Sequence, residues 1–253
     1  NLARAATGDS ELQELASNPM LLTSMAIVHQ QNRELPRKRA EVYAKAIEVL
    51  LIKCPRAGEE VTPALADILA RYPALMRAMH RLAFVAHESN EGRGDGKREA
   101  TDLPRMIALD QLEQEFRDPH LAIEFLDYVD QRAGLLVGRG GGSGDIPSTY
   151  AFVHRTFQEF LAGCELVIRR GVKGIREKFK GGDHWYLAAQ FGVEHCLFNE
   201  ANGDIFGAEF AFLGWRLWGL RHPAAGSMKF DPERCSSLRF SRLGRASGHN
   251  RQR

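Results

Sequence analysis

The hydrophobic pattern changes its period within the stretch YAFVHRTFQEFLAG at residues 150–163. Tyr150 and Phe152 alternate with small residues, which is typical of a β-strand. Apolar residues then recur three and four positions apart, which predicts an α-helix whose apolar face holds Phe157, Phe160, Leu161, Cys164 and Ile168. His154 and Thr156 lie where the period changes, so the sequence places both residues at a strand-to-helix junction.

Helical spacing dominates the chain before this junction. Asn18-Pro19 predicts a helix start, because asparagine caps helices and proline fits the first helical position. The segment from Met20 to Val28 is apolar on most sides, so we expect it to be deeply packed. Helical stripes follow up to about Lys53 and again from Pro63, with a break near Tyr72-Pro73. These stripes consist of Val42, Tyr43, Ala46, Ile47, Leu50, Leu75, Met76, Met79, Leu82, Ala83 and Ala86.

Two shorter helices and a β-hairpin come directly before the junction. Leu109, Leu112 and Phe116 predict the first helix. A second helix is predicted over residues 121–132, with Ile123, Phe125, Leu126 and Val129 as its apolar contacts and Gly134 as a left-handed cap. Strands are predicted at 135–137 and 149–153, on either side of a glycine-rich loop. Two helices followed by a hairpin is the order of a winged-helix module, in which the hairpin is the wing.

The predicted fold class is therefore mainly α, with a helical domain, a winged-helix domain with a short hairpin wing, and a further helical segment. We place the domains at residues 1–55, 56–170 and 171–221. In the last of these, helices are predicted over 175–179 and 184–198, and the aromatic-rich stretch 205–220 needs a partner to cover it. Residues 222–253 are rich in Gly, Ser and Arg without any period, which predicts a disordered basic tail.

Composition narrows the function classes without choosing one. The chain has 253 residues, 44% of them hydrophobic, and a formal charge of +2, which does not imply a nucleic-acid or membrane partner. The cysteines at positions 54, 164, 196 and 235 show no CxxC spacing, so we expect reduced thiols in a cytoplasmic protein. No membrane span is predicted. Since the first residue is Asn1 and no signal peptide follows, we expect an internal piece of a longer protein.

The motifs of common catalytic and metal sites are not found in the sequence. A phosphate-binding loop needs G-x-x-x-x-G-K-[ST], but Gly96-Lys97 is followed by Arg98 and preceded by Glu91 at the first glycine position. His80 and His87 are seven residues apart, and two imidazoles alone make a poor metal site. We predict neither a metal site nor catalysis by this chain alone.

The junction at His154 suits an anion. A helix N-terminus presents unpaired N–H groups and about half a positive charge. A histidine there can add a charge-assisted hydrogen bond worth roughly 1.5–3 kcal/mol. The alternative is structural: His154 ends the strand while Phe157 and Phe160 fill a core. On residue chemistry alone this structural alternative is favoured, because a lone histidine is more often structural than functional.

Two stretches together resemble the NACHT-type signal-transducing (STAND) NTPases. Residues 14–51, which include NPMLL, LP and R-x-x-x-Y elements, resemble the helical segment after the nucleotide-binding core of that family, which has an "NPLLL … LP … R … LY" pattern. FVHRTFQEFLAG is similar to the "FxHxxFqEFxAA" motif at the end of the family's winged-helix domain. His184-Trp185 lies where these proteins often carry a tryptophan. Met20 in place of leucine and Gly163 in place of alanine are mild departures.

The resemblance implies a molecular switch. In that family the winged-helix histidine contacts the phosphate of bound ADP, and the proline of the helical segment packs near the adenine. Carried over, His154 is the phosphate contact and Pro19 the base-side contact. The nucleotide, ATP or ADP, belongs to the full-length parent ATPase, and we expect no stable binding by this chain alone. The partners implied are an NTPase core in the same polypeptide and, after activation, further copies in a homo-oligomer, with a role in defence signalling.

With this resemblance the binding role of His154 becomes the favoured interpretation. Two alternatives stay open, namely an inert helical scaffold and a stand-alone winged-helix DNA-binding regulator. DNA binding is disfavoured, because the candidate recognition helix at 121–132 carries Glu124, Asp127 and Asp130 against one arginine. A basic cluster, Arg37 to Arg39, is interpreted as a solvated face, with phosphate contact as the alternative.

Overall fold

A computed structural model describes residues 19–32, 36, 39–53, 61–91, 102–141, 146–179 and 183–198. Its first helix, α1, spans Pro19–Asn32 and begins at the proline that the Asn-Pro pair predicts. Met25 and Val28 are buried, but Leu22 is exposed, so α1 is not buried on all sides. Helix α2 spans Arg39–Glu48 and continues as a wider π-type turn, Val49–Lys53, whose end agrees with the predicted limit.

The next two helices show the predicted break. Helix α3 spans Pro63–Ala70, and the Thr62 side chain caps it by accepting from the Leu65 N–H. Helix α4 spans Tyr72–Glu88, with Arg71 as the non-helical residue between the two. The interruption therefore falls one residue earlier than the Tyr72-Pro73 pair suggested, because the proline occupies the first turn of α4. The predicted apolar face of α4 is confirmed, since all its members are buried.

A three-stranded sheet and two helices complete a winged-helix module after α4. The order is β1 (Leu103–Pro104), α5 (Arg105–Phe116), α6 (Pro119–Tyr128, extended by Val129–Ala133), β2 (Leu136–Arg139) and β3 (Thr149–Phe152). β3 is the middle strand and pairs antiparallel with both neighbours. Strand β1 is absent from the sequence-based prediction, because two residues show no alternation. Gly134 has φ +63°, which confirms the predicted left-handed cap.

The central helix and the segment that covers it follow the sheet. Helix α7 spans Arg155–Glu165 and continues as a wider turn, Leu166–Arg170. Helix α8 spans Gly171–Lys178, and a short 3-10 turn, Asp183–Trp185, leads into α9, Tyr186–Phe198. Both predicted helices after α7 are therefore present.

Two apolar assignments are wrong. Ile168 is exposed, while Leu166 and Val167 are buried, because the wider turn after Glu165 rotates the following side chains relative to an unbroken α-helix. Ile123 is also exposed. It lies two residues from both Leu121 and Phe125, on the opposite side of α6 from the buried face.

One hydrophobic core runs from Met25 in α1 to Cys196 in α9. The fold class is confirmed as mainly α with a winged-helix module among helices. The domain boundaries at 55, 170 and 221 stay predictions. The aromatic-rich stretch 205–220 and the basic tail 222–253 lie outside the described residues, as do Cys54 and Cys235. Cys164 and Cys196 are free and buried, as expected.

Candidate functional site

His154 lies between the last residue of β3 and the first turn of α7. Its backbone is extended, with φ −136° and ψ 131°, as expected for a helix N-cap. The preceding Val153 N–H donates to the Leu135 carbonyl at 3.1 Å, which fixes the junction to the start of the hairpin. The predicted strand-to-helix junction at His154 is therefore confirmed.

The side chain and the backbone of His154 both cap α7. Nδ1 accepts from the backbone N–H of Thr156 at 3.3 Å and lies 2.7 Å from the Thr156 hydroxyl. The His154 carbonyl accepts from the N–H groups of Phe157 and Gln158 at 3.1 and 3.4 Å. Three of the first N–H groups of the helix are thus satisfied within the junction itself.

Burial of His154 acts against the charged form of the ring that residue chemistry suggested. His154 is half-buried, and this burial lowers the pKa of its imidazole below the ordinary value. Burial therefore favours the neutral imidazole over the cation at this junction. The adjacent Arg155 guanidinium is paired at 2.8 Å with Glu159, whose side chain is only 7% exposed. This pair was not predicted.

Pro19 begins α1, and the structure describes its backbone but not its side chain. Helix α1 packs against α2 and against the turn Val49–Lys53. The prediction that Pro19 and His154 flank one nucleotide site stays a prediction.

An aromatic cluster lies one turn into α7. Tyr43 of α2 has its ring centroid 5.6 Å from Phe157 and 5.8 Å from Phe160, and it meets Phe191 of α9 edge-on at 5.0 Å. The three helices are therefore joined directly behind the junction that His154 caps. Tyr43 is the tyrosine of the R-x-x-x-Y element.

The arginine of the same element has a role that the sequence did not indicate. Arg39 was expected on a solvated face, but its side chain is only 14% exposed and pairs with Glu194 at 2.9 Å. Its guanidinium also lies over the ring of Phe191, 4.4 Å from the centroid. The solvated-face interpretation is therefore wrong for Arg39, because a carboxylate 155 residues away folds back onto it. Arg37 and Lys38 lie outside the described residues.

Gly163 was regarded as a mild departure, but its position in the fold has no room for a larger residue. A Cβ built there would lie 1.8 Å from the Ala188 carbonyl oxygen. At Gly192, in α9, a Cβ would lie 2.1 Å from the Gly163 carbonyl oxygen. The backbones of α7 and α9 are in direct contact, so both positions require glycine in this arrangement.

A second junction ties α4 to the segment that begins at Asp183. The rings of His87 and His184 stack with centroids 4.2 Å apart, and each ring Nε2 lies within 3.2 Å of the other residue's carbonyl oxygen. Trp185 is buried against Phe84 and His87. The tryptophan of the resembled pattern is therefore a core residue of this junction.

The described ranges contain neither a metal-binding cluster nor a membrane-spanning helix. Among the described residues, no group of three or more His, Cys, Asp or Glu side chains is placed to hold a metal ion. Among the residues that the structure describes, none of the helices combines the length and the apolar character that crossing a bilayer requires.

Comparison with known proteins agrees with this architecture. The family model described as "Winged helix-turn-helix domain C-terminal to NACHT" matches residues 39–166, just over half of the 253 residues. The match begins at the first residue of α2, not at the predicted domain boundary near residue 56, and it ends inside the extension of α7. No curated protein and no solved structure matches the chain. The family model and the winged-helix order of strands and helices lead to one conclusion: the chain belongs to the family of winged helix-turn-helix domains C-terminal to NACHT.

Proposed function

We propose that this chain is the regulatory portion of a NACHT-type NTPase switch and that His154 senses the phosphate of bound ADP. In this proposal the NTPase core lies in the same cytoplasmic polypeptide, and this chain contributes the lid of the nucleotide site without catalysing hydrolysis itself. ADP holds the lid closed. Exchange for ATP releases it and permits oligomerisation, in a defence-signalling role that rests on the family resemblance alone.

The observation that carries the proposal is the capping geometry of His154. A backbone N–H can only donate, so Nδ1 is the acceptor and the ring proton of the neutral imidazole is on Nε2. A phosphate oxygen is an acceptor and fits this donor. The positive end of the α7 dipole adds to the attraction for an anion. The residues present therefore suit a nucleotide phosphate, and the switch would respond to whether that phosphate is bound.

Three contacts support placing Pro19 at the same site. Helix α1 packs against the turn Val49–Lys53. Within that turn, the Leu51 carbonyl accepts from the Tyr128 hydroxyl of α6. Helix α6 and its extension lead to Leu135, whose carbonyl accepts from Val153 beside His154. These contacts connect the helix that Pro19 begins to the junction through α6 and the start of the hairpin.

The DNA-binding alternative gains no support from the geometry. Glu124 of α6 accepts from the N–H and the hydroxyl of Thr62, at 3.1 and 2.5 Å, and so fastens α6 to α3. Asp127 lies 3.7 Å from the Arg105 guanidinium. A helix that enters a DNA groove needs a free, basic face, whereas α6 is acidic and uses Glu124 for an internal contact.

The test is ADP binding by the full-length parent protein. His154→Ala should weaken ADP affinity about 10- to 100-fold, the range expected when a hydrogen bond to a charged group is lost. Because alanine also removes the helix cap, His154→Asn is the matched variant, since asparagine still caps a helix but is too short to replace Nε2. Both variants should lose ADP affinity, and the alanine variant alone should lose thermal stability.

His120→Asn serves as the control, because His120 is an exposed histidine on α6. Unchanged ADP affinity in both His154 variants would overturn the proposal. Loss of ADP affinity in the alanine variant alone would show that His154 acts through the cap, and this result would also overturn a phosphate contact.

A further inference from the structure

Two histidines fasten the end of α4 to the turn Asp183–Trp185. Their rings stack with 17° between the planes and the centroids 4.2 Å apart. His184 Nε2 lies 2.8 Å from the His87 carbonyl oxygen, and His87 Nε2 lies 3.2 Å from the His184 carbonyl oxygen. A carbonyl oxygen can only accept, so both Nε2 atoms carry protons and donate. A further proton on either ring must therefore go to Nδ1.

This arrangement opposes a positive charge on His87. The residue is 1% exposed, and the Trp185 ring meets it edge-on with the centroids 4.5 Å apart. Burial lowers its pKa most, followed by the neighbouring His184 and by Arg155 of α7. The His184 carbonyl and Glu91 act in the opposite direction. The net effect is a pKa of about 3, because a charged imidazole would lose its water at this position.

The ion pairs around the stacked rings do not offset this effect. Lys178 of α8 lies 2.8 Å from the Glu88 carboxylate and 2.6 Å from that of Glu91. Its ammonium group also lies 5.0 Å from the centroid of Trp185. Lys178 therefore already engages both carboxylates, which reduces their ability to compensate a positive charge on His87.

We propose that His87 and His184 form a pH-sensitive clasp that holds the turn Asp183–Trp185 on the end of α4 at neutral pH and releases it when His87 takes up a proton. The clasp lies after the winged-helix strands, at the start of the segment that leads into α9. Its release would loosen the connection between α4 and that segment. This inference concerns the chain alone and goes beyond the proposed function, because it involves no nucleotide.

The size of the effect follows from proton linkage. In the closed clasp His87 binds no proton above about pH 3, whereas in the open form its imidazole lies in water, where the ordinary pKa is about 6.5. Opening therefore takes up one proton once the pH falls below 6.5. The equilibrium constant for opening should be about ten-fold higher at pH 5.5 than at pH 7.5.

Hydrogen exchange at Trp185 measures this opening, because its indole N–H is buried in the closed clasp. Trp215→Phe and Trp218→Phe leave Trp185 as the single tryptophan of the full 253-residue chain. The exchange rate of its indole N–H, divided by that of N-acetyltryptophanamide at the same pH, gives the opening constant when closing is fast. The amide of Leu161, in the middle of α7, reports global unfolding in the same spectra.

The matched variant is His87→Gln, since glutamine keeps a hydrogen-bond donor but does not titrate. It should abolish the ten-fold rise, whereas the exposed control His120→Gln should retain it. A measurement without any variant at His87 completes the test. The ¹⁵N signals of the wild-type His87 ring should stay those of a neutral imidazole down to about pH 5.

Four results would overturn the inference. The first is an opening constant that does not change with pH, and the second is a ten-fold rise that persists in His87→Gln. The third is a Trp185 opening constant equal to that of the Leu161 amide, since the turn would then leave α4 only when the whole chain unfolds. The fourth, which needs no variant to fold, is a wild-type His87 that takes up its proton near pH 6.5 while the Trp185 indole stays protected.

Discussion

The two halves of helix α7 are held by different kinds of contact. Around Gly163 the helix touches α9 backbone to backbone, and a single added carbon would lie 1.8 Å from the Ala188 carbonyl oxygen. At the start of the helix, residues 154–156 are half-buried, and His154 accepts from three of the first N–H groups. The half around Gly163 depends on a distant segment of the chain and leaves no space. The half that begins at His154 is capped locally, and Phe157 packs against Tyr43 of α2. A substitution at Gly163 must therefore move two helices apart, whereas a substitution at His154 acts first on the cap.

Gly163→Ala should produce the largest loss of stability, because it breaks the packed half directly. In an isolated helix, alanine in place of glycine stabilises by about 1 kcal/mol. Here the Cβ forces α7 and α9 apart, and we expect a net loss of about 3 kcal/mol, at the upper end of the cost of overpacking. Urea unfolding of the full chain measures it. A variant as stable as the wild type would show that the two backbones are not held in contact.

Lowering the pH should destabilise the contacts around the packed half of α7 more than those at the junction. His80 of α4 is buried, and the lack of solvation, followed by the charges of His195 and Arg169, lowers its pKa to about 3. His195 in turn lies edge-on to Phe160, in the packed half of α7. Since the unfolded chain binds a proton near pH 6.5 and the folded chain does not, stability is retained above pH 6.5 and lost as pH falls toward 3.

The expected loss from His80 is about 1.4 kcal/mol per pH unit, or about 2 kcal/mol by pH 5. His80→Leu should therefore reduce the difference between the free energies of unfolding at pH 7 and pH 5 by about this amount. His154→Asn should reduce the difference in stability between pH 7 and pH 5 by a smaller amount. His154 is less buried than His80, and burial is the only cause that lowers its pKa. The exposed His120 offers the control variant, His120→Gln. If the His80 and His154 variants changed the pH dependence of stability equally, the packed half would be no more sensitive to acid than the junction, and the expectation would be wrong.

The sequence predicted the locally determined half of this comparison well. The change of period at Val153 located the junction, and the spacing of Phe157, Phe160 and Leu161 defined a face that is fully buried. These features depend on neighbours within one or two helical turns, which a single sequence displays. His154 was placed at this junction for the same reason, whereas its contact with the Thr156 hydroxyl needed coordinates.

The features that the sequence did not reveal depend on residues far apart in the chain. The need for glycine at position 163 exists only because α9 returns to the same place, and helix propensity alone would favour alanine there. Strand β1 is two residues long and forms only because β3 offers it an edge. The burial of Arg39 depends on Glu194, and no local pattern signals that pairing. Where Pro19 lies relative to His154 belongs to the same class and stays a prediction.

The smallest effect is expected at the ion pair between Arg39 and Glu194, which joins α2 to α9. This pair holds the last turns of α9 beside the start of α2, and Arg39 also stacks on Phe191. Glu194→Gln keeps a hydrogen-bond acceptor but removes the charge, and we expect a loss of about 1 kcal/mol, typical of a hydrogen bond to a partly buried charge.

Asp67→Asn, in the exposed i,i+4 pair with Arg71, should cost less than about 0.5 kcal/mol and is the matched control. Arg39→Lys should lose as much as Glu194→Gln, because lysine keeps the charge but lacks the planar fork and the stacking. If Glu194→Gln costs no more than Asp67→Asn in urea unfolding, this ion pair contributes no more than an exposed one, and the contact of Tyr43 with Phe191 carries more of the link between α2 and α9.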